Sequence, residues 1–315
     1  MLALLAVTGP VYLLMALGWA ATRGGLFSKA DLRVIGKYVL TLALPALLFN
    51  ALSSRPLGEV FDPVFLLAYA GGSLLALGTG VLWARRVAGK PLAASAYVGM
   101  GMSCSNTGFI GFPLAAQVFG ASTAGVAVGL VLLVENFVML PLVLALADTA
   151  AGEGAGARGG QLRRAILQSL RALLRTPMIH GLVLGAAFSL FGWRLPSPLA
   201  GAVDLLAMSC APLSLVVIGG SLVGLRVRGM ARDVACIAAG KLLLHPLAVM
   251  LWLVLLPGVD AQLRTAAVLL AAVPMLGIYP LLAHRHGQEA MAAAAQLGTT
   301  VASFFTLTSL VWILA

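Results

Sequence analysis

Apolar residues in this chain come in long blocks, separated by short polar or basic interruptions. Ten blocks approach or exceed the length of about 20 residues that a helix needs to cross a hydrocarbon core. They fall at 2–21, 34–53, 63–84, 91–118, 121–147, 177–192, 197–222, 231–256, 262–283 and 289–314. The pattern predicts an all-α membrane protein with ten transmembrane helices. Two of the blocks are broken in the same manner. The fourth is interrupted by Ser103-Cys104-Ser105-Asn106-Thr107-Gly108, followed by Phe109-Ile110-Gly111-Phe112-Pro113. The ninth is interrupted at Pro274-Met275-Leu276-Gly277-Ile278-Tyr279-Pro280. Proline lacks an N–H and clashes with the preceding turn, yet suits the first turn of a new helix. Pro113 and Pro280 are therefore expected to open the second half of each broken span, with Gly108, Gly111 and Gly277 allowing tight backbone between the halves.

The breaks belong to a repeat. Pro10, Pro45 and Pro113 recur at Pro177, Pro212 and Pro280, and Gly18 and Gly25 at Gly185 and Gly192, all at an offset of 167 residues. Chance would give about 0.4 proline coincidences at any one offset, so three imply an internal repeat. Residues 1–147 form the first copy with spans 1–5, residues 148–176 a linker, and residues 177–315 the second copy with spans 6–10. An odd number of spans per copy makes the two copies inverted. Helices broken at matching positions of two halves point to a transporter's binding site near the bilayer midplane.

Composition narrows the class. Of 315 residues, 61% are hydrophobic and 10% charged, which leaves no room for a sizeable soluble domain. The net charge of +10 does not indicate nucleic acid, because of where the cations fall. With the N-terminus outside, sixteen Lys and Arg lie in inner loops, three (Arg55, Arg194, Arg264) in outer loops, and Lys241 within a span. The positive-inside rule expects that asymmetry. It places both termini on the periplasmic side of a cell inner membrane. The first block has no basic residue before it, and Arg23 and Lys29 follow it, so it reads as a retained span rather than a cleaved signal. The linker opens with Gly and Ala, and its later part, Gln161–Arg175, alternates Leu/Ile with Arg in a pattern that suits an amphipathic helix on the anionic inner leaflet. Cys104, Cys210 and Cys236 fit no metal spacing, and no cluster of nucleophile, base or metal ligands marks an enzyme.

Polar residues within spans are the candidates for chemistry. Asn106 at the first break offers amide donors and an acceptor suited to a carboxylate, with Ser105 and Thr107 flanking it. Its equivalent in the second copy is Val273, so the polar contacts are expected mainly from the first half. Glu135 and Asn136 lie in span five, and Lys241 and His245 in span eight. Ionisable groups inside a membrane are functional candidates by default. Glu135 could carry a coupling proton or neutralise Lys241 as a structural pair, and Lys241 could bind an anion. Sodium prefers oxygen ligands, which Asn106, Glu135, Asn136, Gln296, Thr299 and Ser303 could supply. Asn50 in span two could line the pocket wall. Gly125-x-x-x-Gly129, Gly181-x-x-x-Gly185 and Gly220-x-x-x-Gly224 are close-packing signals that also suit a homodimer.

The segments Tyr38–Leu52, Asn106–Leu114 (NTGFIGFPL), Val273–Leu281 and Leu297-Gly298-Thr299-Thr300 resemble the auxin efflux carrier family, which contains plant PIN carriers and bacterial malonate transporter-like proteins. The resemblance extends over essentially the full length, although the loop after Asp148 is short where plant carriers hold a large insertion. It implies two crossed broken helices in spans 4 and 9, a scaffold of spans 1, 2, 6 and 7, and a moving transport domain of spans 3–5 and 8–10. The candidate substrate site is thus Ser105, Asn106, Thr107, Gly108, Gly111, Pro113, Pro274, Gly277, Pro280 and Asn50, and the candidates for ion coupling are Glu135, Asn136, Lys241, His245 and Gln296. The expected activity is secondary active transport of a small organic anion, a carboxylate or a dicarboxylate such as malonate or malate. No cofactor is expected beyond a coupling proton or sodium ion. The rival readings are a sodium-coupled symporter of the bile-acid-transporter-like kind and a cation/proton antiporter.

Overall fold

The computed structural model describes residues 2–55, 61–151, 176–224 and 230–314, and every regular element among them is a helix. In chain order these are α1 (Leu2–Arg23), α2 (Lys29–Ser53), α3 (Pro63–Arg86), α4 (Leu92–Ser103), α5 (Thr107–Phe119), α6 (Ala121–Asp148), α7 (Pro177–Phe191) and α8 (Ser197–Ser221). They continue as α9 (Ala231–Leu255), α10 (Ala261–Ala272), α11 (Tyr279–His284) and α12 (Glu289–Leu314). Six of them, α2, α3, α6, α8, α9 and α12, are long and apolar enough to cross a membrane. Large apolar side chains such as Leu13, Leu205 and Met208 are exposed on their outer faces, as a lipid solvent permits. The expected amphipathic helix at Gln161–Arg175 lies outside the described residues, as do Arg226 and Arg228.

Helix starts follow local chemistry. The second apolar block begins earlier than its hydropathy suggests, because Ser28 caps α2. Ser28 Oγ accepts from the Asp31 N–H at 3.2 Å while Asp31 accepts from the Ser28 N–H at 2.8 Å. This reciprocal capping box satisfies two N–H groups that have no partner within the helix. At α3, Asp62 accepts from the Phe65 N–H at 2.9 Å and Pro63 occupies the first turn.

Four of the prolines leave a common signature. A five-residue π turn ends two positions before Pro45 (Val39–Ala43), Pro113 (Thr107–Gly111), Pro141 (Glu135–Met139) and Pro246 (Gly240–Leu244). In each case the residue before proline donates five residues back: Leu44 to Val39, Phe112 to Thr107, Leu140 to Glu135 and His245 to Gly240. Proline cannot donate to the carbonyl four residues back and its ring presses on it. Widening that turn relieves the clash without ending the helix.

Small residues set which helices meet. A Cβ on Gly219 of α8 would overlap the Met15 carbonyl of α1, and one on Gly18 would overlap the carbonyl of Val216. Gly181 and Gly185 of α7 lie against the backbone of Pro45 and Phe49 in α2. The glycine pattern at 181 and 185 is thus used inside the chain, where it lets backbones approach. By these contacts α1, α2, α7 and α8 pack on one another, while α3 packs on α4 and α9, and α12 on α9 and α11.

Candidate functional site

The two breaks meet. Segment Cys104–Asn106, between α4 and α5, runs antiparallel to Pro274–Leu276, between α10 and α11, with a β-bridge at Ser105 and Met275. The Asn106 N–H donates to the Pro274 carbonyl at 2.7 Å and the Leu276 N–H to the Cys104 carbonyl at 3.2 Å. Backbone polar groups in hydrocarbon must find protein partners, and each break supplies them to the other. Pro280 occupies the first turn of α11, whereas Pro113 follows the π turn that opens α5. Gly111 is held close to Leu270 of α10, since a Cβ there would come within 2.8 Å of the Leu270 side chain. Gly108 faces Leu44 of α2 in the same way, at 3.2 Å.

Asn106 is 2% exposed. Its backbone carbonyl accepts from the Ile110 and Gly111 N–H groups at 3.0 and 2.9 Å, anchoring the π turn that opens α5. Its side-chain amide does not cap the helix, and no described residue hydrogen-bonds it. The amide lies against Gly277, where an added Cβ would sit 3.5 Å from Asn106 Nδ2 and 3.7 Å from Ile218 of α8. Gln296 of α12 approaches the same glycine, donating from Nε2 to the Gly277 carbonyl at 3.3 Å.

On another side of the bridge lies a fully buried charged network. Glu135 in α6 accepts from the Ser105 N–H at 2.7 Å and from Thr107 Oγ1 at 3.0 Å. Lys241 in α9 donates to Ser105 Oγ at 2.8 Å and to the Ala271 carbonyl in the last turn of α10, and meets His245 Nδ1 at 2.9 Å. An ammonium has three donors and no acceptor, so His245 Nδ1 accepts and its Nε2 is left to donate to Ser73 Oγ, 2.9 Å away. Tyr69 reaches Ser105 Oγ at 3.3 Å and stands edge-on to the His245 ring. Glu135 and Lys241 therefore do not touch; Ser105 stands between them, taking the cation on its hydroxyl and offering its N–H to the carboxylate.

Not every candidate comes to this place. Asn136 turns its amide back to the Leu132 carbonyl of its own helix at 2.8 Å. Asn50 donates to Asp204 of α8 at 2.7 Å, in an exposed pair. Ser303 lies seven residues beyond Gln296 and is 3.4 Å from Tyr12 of α1. Sequence reasoning passed over Tyr69 and Ser73. Their one signal was a polar pair at i and i+4 in the apolar first part of α3, which puts both on one face. Among the described residues no group of three or more His, Cys, Asp or Glu is placed to hold a metal.

Comparison with known proteins adds an independent line. The chain is 28% identical over 290 residues to a protein of Rhizobium meliloti (strain 1021) that carries the provisional name of malonate transporter, covering 89% of this chain and 86% of that one. It is 27% identical over 248 residues to an uncharacterized transporter of Methanothermobacter thermautotrophicus, covering 75% and 74%. It is 23% identical over 314 residues to the uncharacterized transporter YfdV of Escherichia coli (strain K12), covering 96% and 95%. A family model described as membrane transport protein matches residues 6–313. That match takes in both helix breaks and the network around them, and this chain belongs to that family of membrane transport proteins, the one the auxin efflux carrier resemblance pointed to.

Proposed function

We propose that the protein is a secondary active carrier for a small organic anion, a carboxylate or dicarboxylate of the size of malonate, working by elevator-type alternating access. The observation that carries this reading is the pairing of the two breaks beside an Asn106 amide that is buried and has no partner among the described residues. A buried polar group without a partner calls for one, and an amide beside a helix start offers donors to a carboxylate. The malonate name of the Rhizobium relative agrees with that chemistry.

In this reading the chain forms ten spans as two inverted repeats in a cell inner membrane, with both termini periplasmic. The helices α1, α2, α7 and α8 stand as the scaffold, and the remainder moves with the crossed breaks. Lys241 and Glu135 brace the crossover through Ser105, the cation also meeting the negative end of α10 at Ala271. Because Lys241 already spends its donors on three acceptors, the substrate carboxylate is assigned to Asn106 rather than to Lys241.

Uptake of labelled malonate into proteoliposomes, with an imposed proton gradient, a sodium gradient, or neither, tests the proposal. Saturable uptake that responds to one gradient is expected, and Asn106→Ala should lose it while the purified mutant stays folded. Unaltered affinity in Asn106→Ala would move the site elsewhere.

A further inference from the structure

Helix α12 buries four polar side chains along one stripe. Gln296, Thr299, Thr300 and Ser303 stand at i, i+3, i+4 and i+7, a spacing that places them on one helix face. All four are buried, at 7, 0, 3 and 1% exposure. A polar face on a membrane helix turns to the bundle interior or to a water-filled cavity. Part of this stripe is spoken for. Ser303 donates to the Thr300 carbonyl and stands by Tyr12, and Gln296 uses one amide proton on the Gly277 carbonyl. Two residues of the stripe keep bonding capacity unused among the described residues. Thr299 Oγ1 is buried with no partner among the described residues, and the Gln296 carbonyl oxygen and second amide proton have no partner there either.

Gly277 joins this stripe to the candidate anion site. The Asn106 amide lies against it from one side and Gln296 bonds its carbonyl from the other. Asn106 and Gln296 thus meet at the second break, and Thr299 follows Gln296 by one turn on the same face of α12. None of them is charged, and the nearby buried cation, Lys241, is engaged by Ser105, His245 and Ala271. A carboxamide presents a donor and an acceptor side by side, and a threonine hydroxyl can do both as well. The complementary ligand group is one that donates and accepts together. A hydroxyl or an un-ionised carboxyl does so; an ionised carboxylate only accepts, and a metal ion has no use for amide protons.

We propose that Gln296 and Thr299 form a second subsite, which binds an uncharged hydrogen-bonding head of the same substrate whose ionised carboxylate is held at Asn106. The preferred substrate is then a two-headed acid, a hydroxy acid or a singly protonated dicarboxylate, in place of a simple monocarboxylate. This rests on the carrier reading above and adds the second head to it.

Binding of malonate, 3-hydroxypropionate and propionate to the purified full-length protein tests it, measured by calorimetry at mildly acidic pH in sodium-free buffer. Thr299→Val is the main variant, because it keeps the shape and removes only an unpartnered hydroxyl; Gln296→Met is the second. In the wild type the two-headed acids should bind at least tenfold tighter than propionate. Both variants should erase most of that preference, and Thr299→Val should leave propionate unchanged. Propionate binding as tightly as malonate overturns the subsite and leaves the carrier reading standing, as does an equal loss for all three acids in Thr299→Val. Stabilisation of the wild type by sodium chloride alone, absent in Thr299→Val, overturns it in favour of a cation site. Failure of all three acids to bind the wild type overturns both readings.

Discussion

Removing the Lys241 charge tests the buried network most directly. Lys241→Met keeps the length and volume of the side chain while deleting the ammonium and its bonds to Ser105 Oγ, His245 Nδ1 and the Ala271 carbonyl. Glu135, 3% exposed, then keeps its bonds from Ser105 and Thr107 but faces no cation across the serine. Breaking a buried charge pair by removing one partner costs about 3–5 kcal/mol, much of it the penalty on the charge left behind. Glu135→Gln has the opposite defect: its amide oxygen can still accept from Ser105, while Lys241 keeps three acceptors without a countercharge. The double variant Glu135→Gln/Lys241→Met leaves neither charge stranded. Its destabilisation should therefore fall short of the sum of the two singles by about 2–3 kcal/mol, at the upper end of measured couplings between neighbours. Reversible unfolding of the four proteins in mixed micelles measures this. Additivity to within about 0.5 kcal/mol, the behaviour of independent sites, would refute the idea that Ser105 couples the two charges.

Two further outcomes follow from the packing. Gly219→Ala should destabilise the protein by about 1–3 kcal/mol, the usual cost of overpacking, because the new methyl overlaps the Met15 carbonyl of α1; Gly201→Ala, which meets nothing within 4 Å, is the control. Thermal denaturation in detergent reads both, and equal midpoints would show that α1 and α8 do not need their close approach. Arg55 ties the end of α2 to the start of α6, through Ser122 at 2.8 Å and Thr123 at 2.9 Å. If α6 moves against α2 during transport, Arg55→Ala should change the maximal uptake rate several-fold while leaving substrate affinity in place. An unchanged rate would argue that these contacts are not broken in the cycle.

Much of the arrangement was legible from single residues. Proline and glycine act locally, so Pro113, Pro280 and Gly277 announced the breaks without any knowledge of what packs on them. Charge inside an apolar block is equally plain, and Glu135 and Lys241 stood out for that reason. Their actual relation did not, because Ser105 is 30 residues from one and 136 from the other, and only the crossing of the breaks brings all three together. Asn136 shows the converse. Adjacent in sequence to Glu135, it points about 100° around the helix and bonds its own backbone. Proline removes a donor wherever it falls, yet at Pro45, Pro141 and Pro246 the chain widens one turn and continues. Distinguishing a stop from a widened turn needs the neighbouring helices, which decide whether the freed carbonyls are met.

The bridge between Ser105 and Met275 also sets a clock on how the protein is made. Its two strands lie 170 residues apart in the chain, so at about 5–20 residues per second the first is synthesised roughly 10–30 s before the second. During that interval the backbone around Ser105 and Asn106 has no partner strand, and each unmet polar group costs several kcal/mol in hydrocarbon. The nascent fourth apolar block must wait in water, at the interface or beside the insertion machinery until the ninth block arrives. Assembly in the membrane is thereby made to wait for the ninth block before the centre can close, and a chain cut short before residue 274 has no means of completing its own middle.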